Sequence, residues 1–521
     1  MHEIVTLQFG QQSNYLGTHF WNAQESYFTY PPSPPSPINH DIHFRPGIAP
    51  DGTDTFTPRA LIYDLKGAFG ALRKINALYE VSDPPSGTGH GIWPTLPTPH
   101  HLPPIPPSPY QTALDAALSP PPLTPYTVRY WSDYSRVFFH PKSLQQLPEF
   151  SVGDQLRPFE QWDVGADLFA TMDADVDLLD RDLRPFVEEC DGLQGLQIVT
   201  GTEDAWGGWV AGWVERLRDE FGKGAIWVWG VGGAQDEGIV REKRLQRLVN
   251  SARSLHNISE HASVYIPVSN EPVKSPSYLS LDLSSQWHTS AVQAVALETM
   301  TLPSRMRSSD GRGTFQDMEE IFNFSGKRKI AKLEMSIADP DVLDGKVEAE
   351  AASAEKVSSQ PTRAEDSESI DTQLTEFDID MFTKDYKTLK SSHCKKEHIF
   401  GRAETSRGEW SSFEGTDARD PRNRFASSPI VQRYSAPLLF PLLDSFPSIF
   451  NVGSGQSKKL AVCSGLSTSS SVADQVRSLE HIVRRLVSTD ERETLSNGLE
   501  MIAEEYTEGW DSGTDSGEDD E

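Results

Sequence analysis

Few groups of residues in this chain are spaced for chemistry, and none forms a complete site. Gly453-Ser-Gly-Gln-Ser-Lys-Lys459 echoes a phosphate-binding loop, but it lacks the second glycine and the Ser/Thr that would hold magnesium, so it reads as a glycine-serine surface loop. His393, Cys394 and His398 offer metal-ligand atoms without a fourth partner. His90, His100 and His101 stand among prolines and read as solvent-exposed. No Ser-His-Asp or Cys-His set can be assembled without knowing what lies near what in space. Two glycine-bounded loops remain, Gly10 to Gly17 and Gly201 to Gly208, each following a short apolar run.

Those runs set the elements that must position the loops. Glu3 to Phe9 reads as a strand, and the aromatic stretch with Tyr15, Phe20, Trp21 and Phe28 as a helix that must end before the prolines of 31–37. Ala60 to Tyr63 is a second strand ending at Asp64, followed by a helix expected over Leu65 to Tyr79. Leu193 to Thr200 and Ala225 to Trp229 are further strands. Between them Trp209, Val210, Trp213, Val214, Leu217 and Phe221 share one helical face. Strand, loop, helix and strand in that order imply a parallel sheet with a right-handed crossover. Ile239 to Leu255 reads as an amphipathic helix with Leu245, Leu248, Val249 and Ala252 facing in and Arg241, Lys243, Arg244, Arg247 and Arg253 wet. A basic face of that kind can touch anionic lipid, and is more often simply solvated. Near the C-terminus, Val472 to Leu486 marks one amphipathic helix and Leu495 to Ile502 a second, shorter one.

Composition bounds the rest. The 521 residues can bury a large core, and the net charge of -29 is concentrated in two stretches. Residues 334–380 hold fourteen acidic against three basic residues, and 491–521 hold twelve against one. The folded remainder is mildly acidic, which argues against direct nucleic-acid binding. The 334–380 segment reads as a disordered linker. Twelve prolines between 94 and 125 read as an exposed, partly extended insert, a solvated spacer or a dock for an SH3-like or WW-like partner. Three cysteines are too few for a disulfide framework and suit a reducing compartment. No run is long and apolar enough to cross a bilayer, and the N-terminus is unlike a mitochondrial import signal, having Glu3 and no arginine before Arg45.

The N-terminal run Met1 to Gly17 with Thr18-His-Phe-Trp21 resembles the first strand, first phosphate loop and first helix of tubulins. Pro58 to Leu65, Glu189-Cys-Asp-Gly-Leu-Gln-Gly195 and Val214 to Gly222 continue the match in the same order over about the first half. Trp131-Ser-Asp-Tyr-Ser-Arg-Val-Phe-Phe-His-Pro-Lys142 resembles the stretch that sets the Misato family apart from tubulins, with weaker support from His288 to Pro303 and Ile399 to Trp410. The chain is therefore identified as similar to the Misato family, related to tubulin and FtsZ. That resemblance implies an α/β fold with a doubly wound parallel sheet in residues 1–260. An α+β intermediate domain would follow, beginning over 261–333 and resuming with C-terminal helices over 381–507, with an acidic tail at 508–521.

In tubulins the two glycine loops hold a nucleoside triphosphate, so the resemblance makes Gly10, Gln11, Asn14, Gly17, Asp64 and Gly201 the candidates for a vestigial nucleotide site. The departures weigh against nucleotide use. Gln12 and Ser13 replace a small residue and a glycine, and Lys66 stands where tubulins have an acid. Glu203, Asp204 and Trp206 interrupt the second glycine run, bringing like charge and bulk toward the phosphates. No asparagine-x-aspartate signature occurs between Val231 and Leu302. The expectation is a non-enzymatic protein with no required cofactor, residual GTP binding staying open, and with turn-forming glycines. The resemblance implies a role in distributing mitochondria and partitioning their DNA. It places the protein in the cytoplasm and at the outer face of mitochondria, beside membrane-bound or cytoskeletal partners, with self-association open. A polymerising GTPase and a cytosolic assembly factor for tubulin-like proteins are the alternatives.

The tail around Ser512 and Ser516 has little apolar surface to bury. Deleting residues 508–521 is expected to leave the melting temperature unchanged in a thermal scan. A drop of several degrees would show that the tail packs.

Overall fold

The computed structural model describes residues 2–30, 32–48, 52–72, 105–233, 239–308, 311–341, 343, 376–382, 397–408, 410, 429–452 and 458–507. Two sheets organise them. The first has the order β5-β4-β1-β6-β7-β8, in which β1 is Glu3–Phe9, β4 Ala60–Lys66, β5 Leu144–Ser151, β6 Leu193–Gly201, β7 Ala225–Val231 and β8 Val264–Val268. Every pairing in it is parallel. The four runs expected to be strands of one sheet all lie in it, and β8 extends that sheet past the boundary expected at 260.

Parallel strands are covered on both faces, so their side chains alternate between two cores. Ile4, Trp227 and Trp229 enter one core with Phe20 and Trp21 of α1 (Gln11–Ser26). Val5, Leu7, Phe9, Ile226 and Val228 enter the other with Trp209, Trp213 and Leu217. The second core is covered by α3 (Trp162–Val176), α5 (Ala205–Glu220) and α6 (Arg241–His261), and α4 is the single turn Arg184–Val187. Glycines permit the closest of these contacts. A Cβ on Gly165 would stand 1.7 Å from the Ala205 carbonyl oxygen, and one on Gly208 would stand 2.0 Å from that of Trp162.

The second sheet has the order β10-β9-β14-β11-β12, with β13 paired to β14. Its strands are β9 Lys332–Ala338, β10 Ile379–Asp380, β11 Ile399–Arg407, β12 Ile430–Ala436, β13 Phe440–Pro441 and β14 Lys459–Ser469. All pairings are antiparallel except β11 with β12. Helix α7 (Gln286–Met300) packs beside α1 and against β11 and β14, buried nearly all round as a helix between two layers must be. Helix α8 (Phe315–Phe322) covers the same sheet. Two further helices, α9 (Ser471–Leu486) and α10 (Thr489–Glu505), pack together and onto α6. A small antiparallel pair, β2 (Phe44–Ile48) with β3 (Asp54–Pro58), stands apart.

Several expectations change. Over the described part of 65–79 there is no helix: β4 runs to Lys66, then the chain turns through Gly67 and Gly70 at φ of 87° and 57°. The described part of the proline-rich insert is not exposed throughout. Ser108 caps and Pro109 begins α2 (Pro109–Asp115), whose Tyr110 is 1 % exposed and donates to Asp444 at 2.9 Å. The expected 201–208 loop closes by Asp204, because α5 starts at Ala205 and Gly207 and Gly208 serve helix packing. Helix α6 runs to His261, with Leu245, Leu248 and Val249 only half-buried. The acidic 334–380 segment is bounded by strand: β9 and β10 occupy its ends, and 344–375 lie outside the described residues. The last helix, at 17 residues, is the longer of its pair by one. The expectations for 73–79, His90, His100, His101, His393, Cys394, 453–457 and 508–521 also lie outside the described residues.

Gly165→Ala should lower unfolding stability by about 1–3 kcal/mol in a urea titration, the range for overpacking against backbone. Gly222→Ala, whose Cβ would stand 4.0 Å from the Arg218 carbonyl oxygen, should change it by less than about 0.5 kcal/mol. Equal effects would contradict the packing role.

Candidate functional site

Six parallel strands put all their carboxyl ends on one edge. From β1 the chain builds outward through β4 and β5, then restarts on the other side with β6, so the direction reverses between β1 and β6. Open α/β sheets bind ligands at that point. A cleft of about 460 Å³ lies there, between Gly10 to Gln12, the loop Ser151 to Glu160, Gly201 to Trp206 and the first half of α6.

Four of the six sequence candidates line it: Gly10, Gln11, Asp64 and Gly201. Gly10 has φ of 85°, a left-handed conformation that suits glycine, and its N–H donates to the Tyr63 carbonyl at 3.1 Å. Asn14 is buried just behind the wall and donates to Asp64 Oδ2 at 2.7 Å. Gly17 is not part of the site. It faces Gln8 of β1, whose amide nitrogen would be 2.3 Å from a Cβ, so it is a packing glycine.

The phosphate end of this cleft is filled by the chain itself. Asp204 stands at the amino end of α5 and accepts a hydrogen bond from the Trp206 N–H at 3.0 Å. Unpaired N–H groups and the helix dipole make that end an anion site, and here the anion is a side chain. Trp206 is 4 % exposed and packs against Phe159 at 5.1 Å between ring centroids. Its indole nitrogen would lie 2.5 Å from a Cβ on Gly10, so the ring lies against the first loop and blocks close approach to it. Glu203 does not sit at the helix end. It is beside Gly233 and within the electrostatic reach of Arg247. Lys66 is exposed and lines no part of the cleft.

The charge of the wall follows. Asp64, Asp154, Glu160, Glu203 and Asp204 line the cleft against Lys243 and Arg247, and Lys243 is paired with Glu160 at 2.7 Å. Burial pushes the Asp64 carboxyl up to about 7, against the hydrogen bonds from Leu65 and Asn14. Burial also pushes Asp204 up to about 7, and the like charge of Glu203 adds to it. Burial raises Glu203 as well, opposed by Arg247. No three His, Cys, Asp or Glu side chains are gathered to hold a metal among the described residues.

Sequence reasoning missed the lower wall. Gln12, noted only as a departure, donates to Asn270 Oδ1 at 3.2 Å and Thr289 Oγ1 at 3.3 Å. Asn270 in turn donates to the carbonyls of Gly232 and Gly233 and accepts from Gln293 at 2.7 Å. This ties the first loop to the ends of β7 and β8 and to α7. The partners are 258 and 277 residues apart in the chain, and no local pattern marks them.

Comparison with known proteins follows the same lines. Residues 2–116 match the family model described as the Misato Segment II tubulin-like domain, and residues 120–306 match the one described as the tubulin domain. The chain is 61 % identical to Protein DML1 of Phaeosphaeria nodorum over 523 aligned residues, covering all of both chains. It is 44 % identical to Protein dml-1 of Neurospora crassa, again over the whole of both. It is 30 % identical to Protein misato homolog 1 of Bos taurus over 63 % of each chain.

A carboxyl whose pKa is higher in the folded state than in the unfolded state loses its contribution as pH rises, here from about 4 through about 7. Asp204→Asn removes that titration and keeps a capping acceptor. Its stability relative to the native protein should therefore rise between about pH 4 and about pH 7 and level off above that, as measured by urea unfolding at matched ionic strength. A difference independent of pH would contradict a buried, proton-binding Asp204.

Proposed function

Since the chain belongs to the Misato/DML1 family of tubulin-like proteins, we propose that it is a non-catalytic scaffold that keeps the tubulin shape and acts in partitioning mitochondria and their DNA. The catalytic half of this reading rests on one observation: the anion site at the amino end of α5 is taken by Asp204, with Trp206 laid against Gly10. A triphosphate would have to displace a carboxylate from its cap and a buried indole from its packing. It would then face the further charges of Asp64 and Glu203. The organelle role follows from the family resemblance. The acidic balance of the chain favours protein partners over nucleic acid, so an effect on mitochondrial DNA would be indirect. No described helix is long and apolar enough to cross a membrane, which suits attachment to the outer, cytoplasmic face of mitochondria through other proteins.

Purified protein should release no phosphate from GTP above a no-protein control and should form no filaments when GTP and magnesium are added. Depletion in cells should disturb mitochondrial position and DNA inheritance, and protease added to intact mitochondria should digest the bound protein. GTP turnover abolished by Gly10→Trp would overturn the scaffold reading. Normal mitochondria with failing tubulin assembly after depletion would overturn the organelle role.

A further inference from the structure

A cleft of about 460 Å³ persists at the switch point although its phosphate end is filled, and its wall has the wrong sign for phosphate. Of its two cations, Lys243 is engaged by Glu160 and Arg247 stands beside Glu203, leaving Asp64, Asp154 and Asp204 in excess. Asp204 uses Oδ1 to cap α5. Gln12, in the same wall, is 7 % exposed and has its Nε2 engaged by Asn270 and Thr289, but its Oε1 receives no donor. Asn14, fully buried behind it, likewise has an Oδ1 without a donor. Buried polar atoms are almost always paired, and Gln12 Oε1, whose residue lines the cleft, lacks an N–H or O–H.

We propose that this cleft binds an extended organic cation, a chain carrying ammonium or guanidinium groups several bonds apart, in place of a nucleotide. The assignment rests on the scaffold reading, since a nucleotide would compete for the same space. Spacing argues for an extended cation over a metal ion, because among the described residues no three of these carboxylates gather to hold one ion. Burial and the neighbouring carboxylates push the Asp64 and Asp204 carboxyls up, and an incoming positive charge opposes that. A polyamine and the basic side chains of a partner peptide share this chemistry. Charge favours neither, but Leu156, 93 % exposed on the loop that carries Asp154, offers an apolar contact that suits the apolar side chain of a peptide.

The test is calorimetric titration of the full chain, at physiological salt, with spermidine and separately with an acetylated Arg-Leu-Arg amide. At least one should bind saturably at one site, and Glu203→Gln with Asp204→Asn should weaken it at least tenfold. Gln11→Lys, which adds a cation to the cleft without touching a buried acid, should do the same. Removing equal charge from the exposed face of α3, by Asp167→Asn with Asp175→Asn, should leave the affinity unchanged. Weaker tripeptide binding in Leu156→Ser, with spermidine binding unchanged, identifies a peptide ligand, whereas tripeptide binding unaffected by Leu156→Ser and weaker than that of spermidine identifies a polyamine. The proposal falls if neither probe binds, if the α3 variant weakens binding as much as the cleft variant, or if magnesium chloride alone displaces the probe at equal concentration. Displacement by GTP would overturn the scaffold reading as well, whereas absence of all binding would leave that reading standing.

Discussion

The amino end of α5 cannot be left bare. Its first N–H groups point at the edge where six parallel strands end, and the helix dipole adds positive potential there. Some acceptor must be supplied, and Asp204 supplies it from within the chain. Much else at the site follows from that choice. With no phosphate to accommodate, an indole can lie against Gly10, and Gly10 itself is restricted both by its φ of 85° and by the absence of room for a side chain. The glycine run that would line a phosphate is released to other work: Gly207 and Gly208 lie inside the helix, where Gly208 meets the backbone of α3.

The cleft is joined to the second sheet by α7. Its first turn reaches the cleft through Gln286 and Thr289, and Gln293 bonds Asn270 from below. Near its other end Glu298, fully buried, accepts from both Arg305 and Arg407 and from Tyr27 and Gln24, joining α1, α7 and β11. The two arginines hold the Glu298 carboxyl below its usual range in spite of burial, which by itself would raise it. Taking such a cluster out of water costs several kcal/mol per ion, so its worth is in fixing one arrangement of the two layers rather than in net stability. Removing Glu298 alone would leave two buried guanidiniums without their carboxylate.

The sheet was legible from local pattern because parallel strands buried on both faces are continuous apolar runs. Glu3 to Phe9 and Ala225 to Val231 are apolar enough to be found without neighbours, and their pairing follows from the crossover rule. The obstruction of the second loop was legible too, since Glu203, Asp204 and Trp206 sit where small residues are needed. How the obstruction works was not. A cap hydrogen bond depends on where α5 begins, and the sequence reading carried the loop on to Gly208, past the true start at Ala205. Gly17 looked like a ligand glycine because the resemblance to tubulins put it in the first phosphate loop, whereas it lies inside α1 against the side chain of Gln8 on β1. The second sheet was the least legible part, because β9 and β14 pair across more than a hundred residues that include the acidic segment.

The account stands on Asp204 occupying an anion site that would otherwise be open. Inorganic phosphate at millimolar concentration, against chloride at the same ionic strength, reads this directly through the melting temperature of the native protein and of Asp204→Gly, since glycine is a tolerated cap residue. The native protein should show no phosphate-specific shift. The variant should melt lower without phosphate and recover progressively as phosphate is added. Equal stabilisation of both proteins by phosphate would mean that the helix end is open in the native chain, and would contradict the account.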